Sequence, residues 1–450
     1  MSIYKDCDIR GIYNEEFCDE TAYDIGRAVG TIMKGKKVVV SGDVRVSTEA
    51  IKKKLLDGLY DSGTHIIDLG MTPTPVFYYA KQLLGAEGGV MVTASHNPAE
   101  YNGFKVVFGD RPVTPEDIKR VERIIREGSF AKGQGQLEKA DVLEEYVQMV
   151  KSHTKKHRDL RIVIDAGNGT VSKIGPGIFR ELGYEVIELF CEYDGSFPNR
   201  EPNPAVYKHL AQAQRKVLDE QADLGVAFDG DGDRVVFIDE KGRVAVSEES
   251  FVVFIREYLR DNPSSVVYDL KSSSIVEREI RKYHSEPIME RSGHAFIKKT
   301  FLENDSVLAG EISGHFFFRE LGHDDGIYAA VKMAEIIGKQ NCPFSSILDG
   351  IQKTIITPDI RIPYPTDRQD EMLKRVEALR EKYPVSRLDG IRVQFPKGWL
   401  LVRKSVTEAG ITIRIEADSH EEMAFIKGML FEAAPELDGK HELLRSGQEV

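Results

Sequence analysis

A chain of 450 residues is longer than one hydrophobic core serves, so several domains are expected. Its 41% apolar and 30% charged residues exclude a disordered, collagenous or membrane-embedded polymer. Lys and Arg number 61 against 73 Asp and Glu, and the net charge of −12 argues against nucleic-acid or anionic-membrane partners while leaving room for a local small-anion pocket.

Ala22, Ile25, Val29, Ile32 and Met33 recur at three- and four-residue spacing, which predicts a helix, and the β-branched run 37–40 predicts a strand. The alternation continues with a helix through Ile51, Leu55 and Leu59, a strand at 65–69, a helix at 76–84 and a strand at 89–93. That rhythm implies crossover helices and a largely parallel sheet. The polar stretch 128–135 closes a first unit over 1–139. The cadence restarts with strand 160–165, helix 175–182, strand 184–190, helix 206–218 and strands 224–228 and 235–239, a second unit over 140–246. A third, 247–358, carries runs at 251–259, 265–270, 275–283, 296–302, 307–309 and 326–337. After Pro358 the texture changes. One helix over 371–383, strand-like runs near 390–395, 399–403 and 411–415, and a closing helix at 420–433 with Ser419 and Glu422 as its capping box make a last unit over 359–450. The expected fold is α/β: three consecutive mixed α/β domains and a smaller C-terminal α+β domain around a central cleft.

Cys7, Cys18, Cys191 and Cys342 lie far apart without a C-x-x-C pair, which argues against a disulfide framework or zinc knuckle and fits a reducing cytoplasm. The first residues lack an apolar leader and no apolar run approaches membrane-spanning length, so neither secretion nor membrane anchoring is expected.

Asp229, Asp231 and Asp233 alternate with Gly230 and Gly232 between two apolar runs, and carboxylates at i, i+2 and i+4 converge on a hard cation when glycines let the backbone curl. An EF-hand competes, with Glu240 at the right place for its last ligand, but Arg234 stands where its glycine belongs and strands flank the loop. A solvated acidic turn is the bland alternative. Thr93-Ala94-Ser95-His96-Asn97-Pro98 follows an apolar strand and presents Ser95 at a sheet's carboxyl edge, where α/β folds bind ligands, though it also reads as an ordinary turn. A serine-hydrolase reading fails for want of G-x-S-x-G, and Ser95 and His96, adjacent in an extended segment, are expected to point apart. Gly310-Glu311-Ile312-Ser313-Gly314-His315 offers an acceptor, a hydroxyl and an imidazole for sugar hydroxyls, or is a water-facing β-turn. Arg403, Lys404, Ser405 and Thr407 make a phosphate clamp or a solvated basic hairpin.

Together these four loops resemble those of the α-D-phosphohexomutase family, within it the bacterial phosphomannomutase/phosphoglucomutase branch, over nearly the whole chain. Asp8-Ile9-Arg10-Gly11, Gly42-Asp43-Val44-Arg45, Thr74-Pro75, Pro202-Asn203-Pro204, Arg291-Ser292-Gly293-His294 and Asp324-Asp325-Gly326 add to the likeness. The resemblance implies a phosphoserine at Ser95, one Mg²⁺ held by Asp229, Asp231, Asp233 and the serine phosphate, and Arg234 beside it. It implies sugar contacts from Glu311, Ser313 and His315, and a phosphate grip from Arg403, Ser405 and Thr407. The implied activity interconverts hexose 1-phosphate and hexose 6-phosphate of mannose, glucose or both, through a hexose 1,6-bisphosphate. Glucose 1,6-bisphosphate is the implied activator, small hexose phosphates are the partners, and the state is monomer or dimer. Lys105 and His294 are candidates for proton transfer and Arg10 for charge stabilisation near Ser95. Arg291 stands where the family has a lysine, which keeps the charge and changes its geometry. Val406 and Ala409 depart from the usual phosphate loop, and a β-branched residue disfavours the positive φ of a phosphate nest. Phosphoglucosamine mutase is the rival within the fold; a sugar-phosphate-binding regulator with weakened catalysis is the rival outside it. A hinge that closes the last domain on substrate is expected over 358–365.

Overall fold

The computed structural model describes residues 2–405 and 410–438. In the first unit, buried β-branched runs build a six-stranded sheet in the order Ile9–Ile12, Tyr101–Phe108, Gly88–Val92, Lys37–Gly42, His65–Met71, Gln136–Lys139. Its middle is parallel as the alternation predicts, but Tyr101–Phe108 runs antiparallel to Gly88–Val92, and Ile9–Ile12 runs antiparallel to it in turn. Those two strands put Arg10, Asn102 and Lys105 beside the end of Gly88–Val92, from which the Ser95 loop departs. Helices Asp19–Ile32 and Thr48–Asp61 cross one face. They approach through glycine, since a Cβ on Gly58 would meet the Tyr23 carbonyl oxygen at 2.2 Å and one on Gly26 the Leu55 carbonyl oxygen at 2.3 Å.

The second sheet is ordered Val244–Ala245, Val235–Asp239, Leu224–Phe228, Arg161–Asp165, Glu185–Leu189. Leu224–Phe228 and Val235–Asp239 form an antiparallel hairpin whose connection is the acidic loop. The third sheet is ordered Glu286–Glu290, Ser265–Asp269, Leu308–Gly310, Phe316–Phe318, His323–Asp324. Helix His294–Glu303 packs on it. Apolar side chains from all three units merge into one continuous core.

The C-terminal unit has its own core and an antiparallel sheet of Ile355–Ile356, Gly410–Ala417, Gly398–Lys404, Ile391–Phe395 and Val385–Ser386, with Ile360–Pro363 also on Gly410–Ala417. Its first helix is Thr366–Glu377 rather than 371–383, because Pro365 caps it earlier and the chain tightens to a 3₁₀ turn over Ala378–Glu381. Ser419 Oγ accepts the Glu422 N–H at the start of the closing helix His420–Ala433. The hinge expected over 358–365 is displaced: strands Ile355–Ile356 and Ile360–Pro363 already belong to this sheet, so the connector lies before them. Among the described residues no helix is long and apolar enough to cross a membrane.

Candidate active site

Ser95 sits where the strand Gly88–Val92 breaks into a turn, with φ +50° and 2% exposure. A left-handed serine is a strained residue that only a rigid surround sustains. The surround is the Asp43–Arg45 pair. Arg45 donates through Nη2 to the carbonyls of Ser95 (2.9 Å) and Asn97 (2.6 Å), and through Nη1 to that of Tyr101 (2.9 Å). Asp43 accepts from Arg45 Nε at 3.1 Å and from the hydroxyls of Thr93 (2.7 Å) and Thr48 (2.6 Å). Arg10 supports the loop further by donating to Asn97 Oδ1 at 2.6 Å, while its other arm holds Asp8. The expectation that Ser95 and His96 point apart fails: the turn is not extended, and Ser95 Oγ lies 3.2 Å from His96 Nδ1. Its shorter bond goes elsewhere, to Asp229 Oδ2 at 2.7 Å.

Asp229, Asp231 and Asp233 are each 0% exposed, which rules out a solvated turn, and the hairpin around them rules out the paired helices of an EF-hand. One oxygen from each lies within 4.8 Å of the others. Asp231 Oδ1 and Asp233 Oδ1 are buried with no hydrogen-bond partner among the described residues. Burial, then the charges of Asp233 and Asp231, push the Asp229 carboxyl well above the usual carboxylate range. Burial acts the same way on Asp233, but the ammonium of Lys105, with His315 and Arg234, outweighs it and holds that group far below the range. An all-oxygen, multiply charged, enclosed donor set with unsatisfied lone pairs fits a hard divalent cation such as Mg²⁺.

Lys105, a candidate for proton transfer on the sequence, is buried between two of these carboxylates, 2.7 Å from Asp231 Oδ2 and bonded to Asp233 Oδ2. Burial alone would lower its pKa, yet Asp231 and Asp233 raise it well above the ordinary value, so here it is a fixed positive charge. Thr74 adds a second donor to Asp231 Oδ2, from Oγ1 at 2.6 Å.

The third loop joins the acidic one directly. Val235 N–H donates to the Gly314 carbonyl at 3.1 Å, and Arg234 Nε donates to His315 Nε2 at 3.0 Å. His315, buried rather than water-facing, turns its Nδ1 to within 2.8 Å of Asp324 Oδ2. Glu311 Oε2 and Ser313 Oγ are buried atoms without a partner among the described residues, as recognition groups for a bound hydroxyl would be. His294 opens its helix and stacks on His315 with centroids 5.8 Å apart. Burial lowers its pKa to about 4, so it is neutral at neutral pH. Arg291 lies over the Phe296 ring at 3.9 Å, and Arg403 donates to Asp389 Oδ2 at 2.5 Å. Both arginines line one cleft of about 560 Å³ with Glu311 and His294, so the first, third and C-terminal units face a common space. Ser405 follows Arg403, its N–H donating to the Gly410 carbonyl at 2.9 Å. Thr407, Val406 and Ala409 lie outside the described residues.

Sequence reasoning gave no role to Asp43, Arg45, Thr74 or Asp324. The available signal was an aspartate and an arginine two apart at the end of an apolar strand, a placement that buries both and demands that they pair.

Four consecutive stretches match one family: residues 1–132, 144–242 and 247–354 match alpha/beta/alpha domains I, II and III of phosphoglucomutase/phosphomannomutase, and 360–433 its C-terminal domain. Phosphomannomutase/phosphoglucomutase of Pseudomonas aeruginosa is 38% identical over 437 residues, 95% of this chain and 94% of that protein. Phosphoglucomutase of Neisseria gonorrhoeae is 35% identical over 429 residues, 93% of each. A phosphoglucomutase/phosphomannomutase family protein from Burkholderia thailandensis superposes with a TM-score of 0.91 at 33% identity, over 98% of each chain. Fold, loop order and sequence agree: the chain belongs to the phosphoglucomutase/phosphomannomutase family.

Proposed function

We propose that this enzyme, an intramolecular phosphotransferase, interconverts hexose 1-phosphate and hexose 6-phosphate of mannose or glucose by passing phosphoryl groups through Ser95, with a hexose 1,6-bisphosphate between the two transfers. The observation that carries the reading is the 2.7 Å contact between Ser95 Oγ and Asp229, which joins the nucleophile of one unit to the acidic trio of another. Asp229, Asp231, Asp233 and Ser95 would hold Mg²⁺, which when bound supplies positive charge to the transferring phosphoryl oxygens. Arg234 adds charge on the same side, and Arg10 and Arg45 keep the Ser95 loop in the geometry an in-line transfer needs. A sugar hydroxyl takes the phosphoryl group as its oxygen–phosphorus bond forms and the seryl one breaks. The hydroxyl proton leaves to a neighbouring acceptor, for which the neutral His294 imidazole is our candidate, while Lys105 serves as a charge. Glu311 and Ser313 would hold ring hydroxyls common to glucose and mannose. Arg291, Arg403, Ser405 and Thr407 would hold the phosphate that is not reacting, from either end of the sugar. Glucose 1,6-bisphosphate as activator and a cytoplasmic setting belong to the same proposal; the four free thiols support the latter.

Peptide mapping of purified protein for phosphate on Ser95, followed by a coupled assay on glucose 1-phosphate with glucose 1,6-bisphosphate and Mg²⁺, tests it. Asp231→Ala is expected to cost about a hundredfold or more in turnover and in Mg²⁺ affinity. Full turnover in Ser95→Ala overturns the phosphoserine. Faster turnover of glucosamine phosphate selects the rival mutase, and binding without turnover selects the regulator.

A further inference from the structure

Outside the sugar cleft, a second cavity of about 230 Å³ lies between the first and third units. Helix His294–Glu303 turns His294, Lys298 and Leu302 toward it at four-residue spacing, and the first unit contributes Lys81, Lys105 and Arg111. Cations therefore dominate its wall, and the carboxylates near it are already engaged. Asp110 meets Lys81 Nζ at 2.8 Å from an exposed position, and Asp117 holds Arg111 through both oxygens at 2.6 and 2.7 Å. Asp231 and Asp233 hold Lys105, and Asp324 faces His315.

Lys298 is the exception. Among the described residues it makes no hydrogen bond or ion pair, and its ammonium rests 4.2 Å above the Tyr78 ring centroid. Enclosure depresses its pKa to about 8, against the pull of Asp324 and helped by Lys81. A half-buried ammonium resting on a ring face, with no hydrogen-bond partner among the described residues, is costly to keep. Converging cations around one lysine that no carboxylate pairs with directly, Asp324 acting on it only from beyond ion-pair distance, in a space with room for a phosphate group on a short carbon stem, are the arrangement that an anion of charge two completes.

We propose that this cavity is a second anion site, separate from the sugar-phosphate cleft, that binds a small phosphate-bearing anion with Lys298 as its principal charge partner. Because Cys7 and His294 line both spaces and Lys105 lines this one, its occupant sits within reach of groups the chemistry uses, and the site is placed to report phosphate supply to the reaction.

Pulse acetylation of the whole protein with acetic anhydride, read lysine by lysine by peptide mass mapping, tests this. Inorganic phosphate in one arm and glycerol 3-phosphate in the other distinguish a free ion from a phosphomonoester. At several times its dissociation constant the preferred anion slows acetylation of Lys298 by about fivefold or more and leaves exposed Lys155 unchanged. In calorimetry Arg403→Gln, which removes one of the cleft's phosphate partners and weakens that site, retains the second anion site. Adding Lys298→Gln abolishes it, whereas adding Lys298→Arg preserves it. Lys298 acetylation that neither anion slows, or a double variant with Lys298→Gln that binds as tightly as Arg403→Gln alone, overturns the proposal.

Discussion

Asp229, Asp231 and Asp233 were legible because chemistry and spacing coincide: three carboxylates in five residues repel one another unless a cation joins them. Lys105 was singled out as a candidate for proton transfer, but its place between two carboxylates was not legible, because one lysine in a strand carries no mark of the two aspartates that the neighbouring unit brings to it. His323 is a third kind of residue, silent in the sequence and informative in the fold. It is 1% exposed, its Nδ1 is 2.9 Å from the Asp324 carbonyl, and burial, then the charge of Lys298, lower its pKa to about 4. The unfolded chain takes up a proton near pH 6.5 that the native state refuses until about pH 4. Stability contributed by the neutral ring is therefore fully present above about pH 6.5 and lost as pH falls toward 4, with a limiting slope of about 1.4 kcal/mol per pH unit. His323→Asn is expected to flatten the acid limb of a thermal-midpoint profile over that window; an unchanged slope would show that the ring does not resist protonation.

Among the elements, the helices and central strands of the first three units follow from apolar periodicity, since each buries one face or both. Periodicity missed Ile9–Ile12, Tyr101–Phe108 and Glu286–Glu290, whose Arg10, Asn102, Lys105, Pro287 and flanking glutamates interrupt any apolar run. The first two carry site residues, and strands recruited for chemistry are where pattern and function conflict. Periodicity also could not show how closely two helices approach. At Gly58 a methyl group would meet backbone, the Tyr23 carbonyl oxygen at 2.2 Å and the Arg27 nitrogen at 2.8 Å, and neither can swing away. Gly58→Ala gains about 1 kcal/mol of helix propensity but forces the pair apart, for a net destabilisation of about 1–3 kcal/mol. Chemical denaturation followed by circular dichroism measures it, and a stabilised variant would contradict the close approach.

Across the molecule, the first three units share a core, whereas the fourth keeps its own and touches the third through a small patch of Leu270, Trp399 and Leu401 and a polar anchor. The anchor is Glu416. Its carboxylate accepts from Ser273 Oγ at 2.7 Å, from Ser274 N–H at 2.8 Å, from Ser274 Oγ at 3.0 Å and from Trp399 Nε1, at the positive end of helix Ser274–Lys282. Lys271 with Asp359 at 2.8 Å and Arg278 with Asp418 at 2.7 Å flank it. A modest apolar contact held by charge is the kind of junction that lets a domain move without unfolding. Glu416→Ala strands those donors, so the radius of gyration is expected to rise and cleavage by a protease in 350–354 to quicken. Unchanged scattering and digestion would place the docking energy in the apolar patch instead. No sequence pattern pointed to this glutamate, because two of its three partners, Ser273 and Ser274, come from a different unit.

The backbone bond from Val235 to Gly314 sews the cation-holding turn to the sugar-facing turn, so the two share one fate. Gly314 carries no donor side chain, but its φ is +93° and a Cβ there would sit 2.8 Å from the Val235 oxygen. Gly314→Ala is therefore expected to surface as a magnesium phenotype, weaker binding in a calorimetric titration, although the lesion lies in the neighbouring domain. Heredity at this seam runs across the joint: an allele scored as a carbohydrate-recognition defect would be rescued by raising the metal concentration.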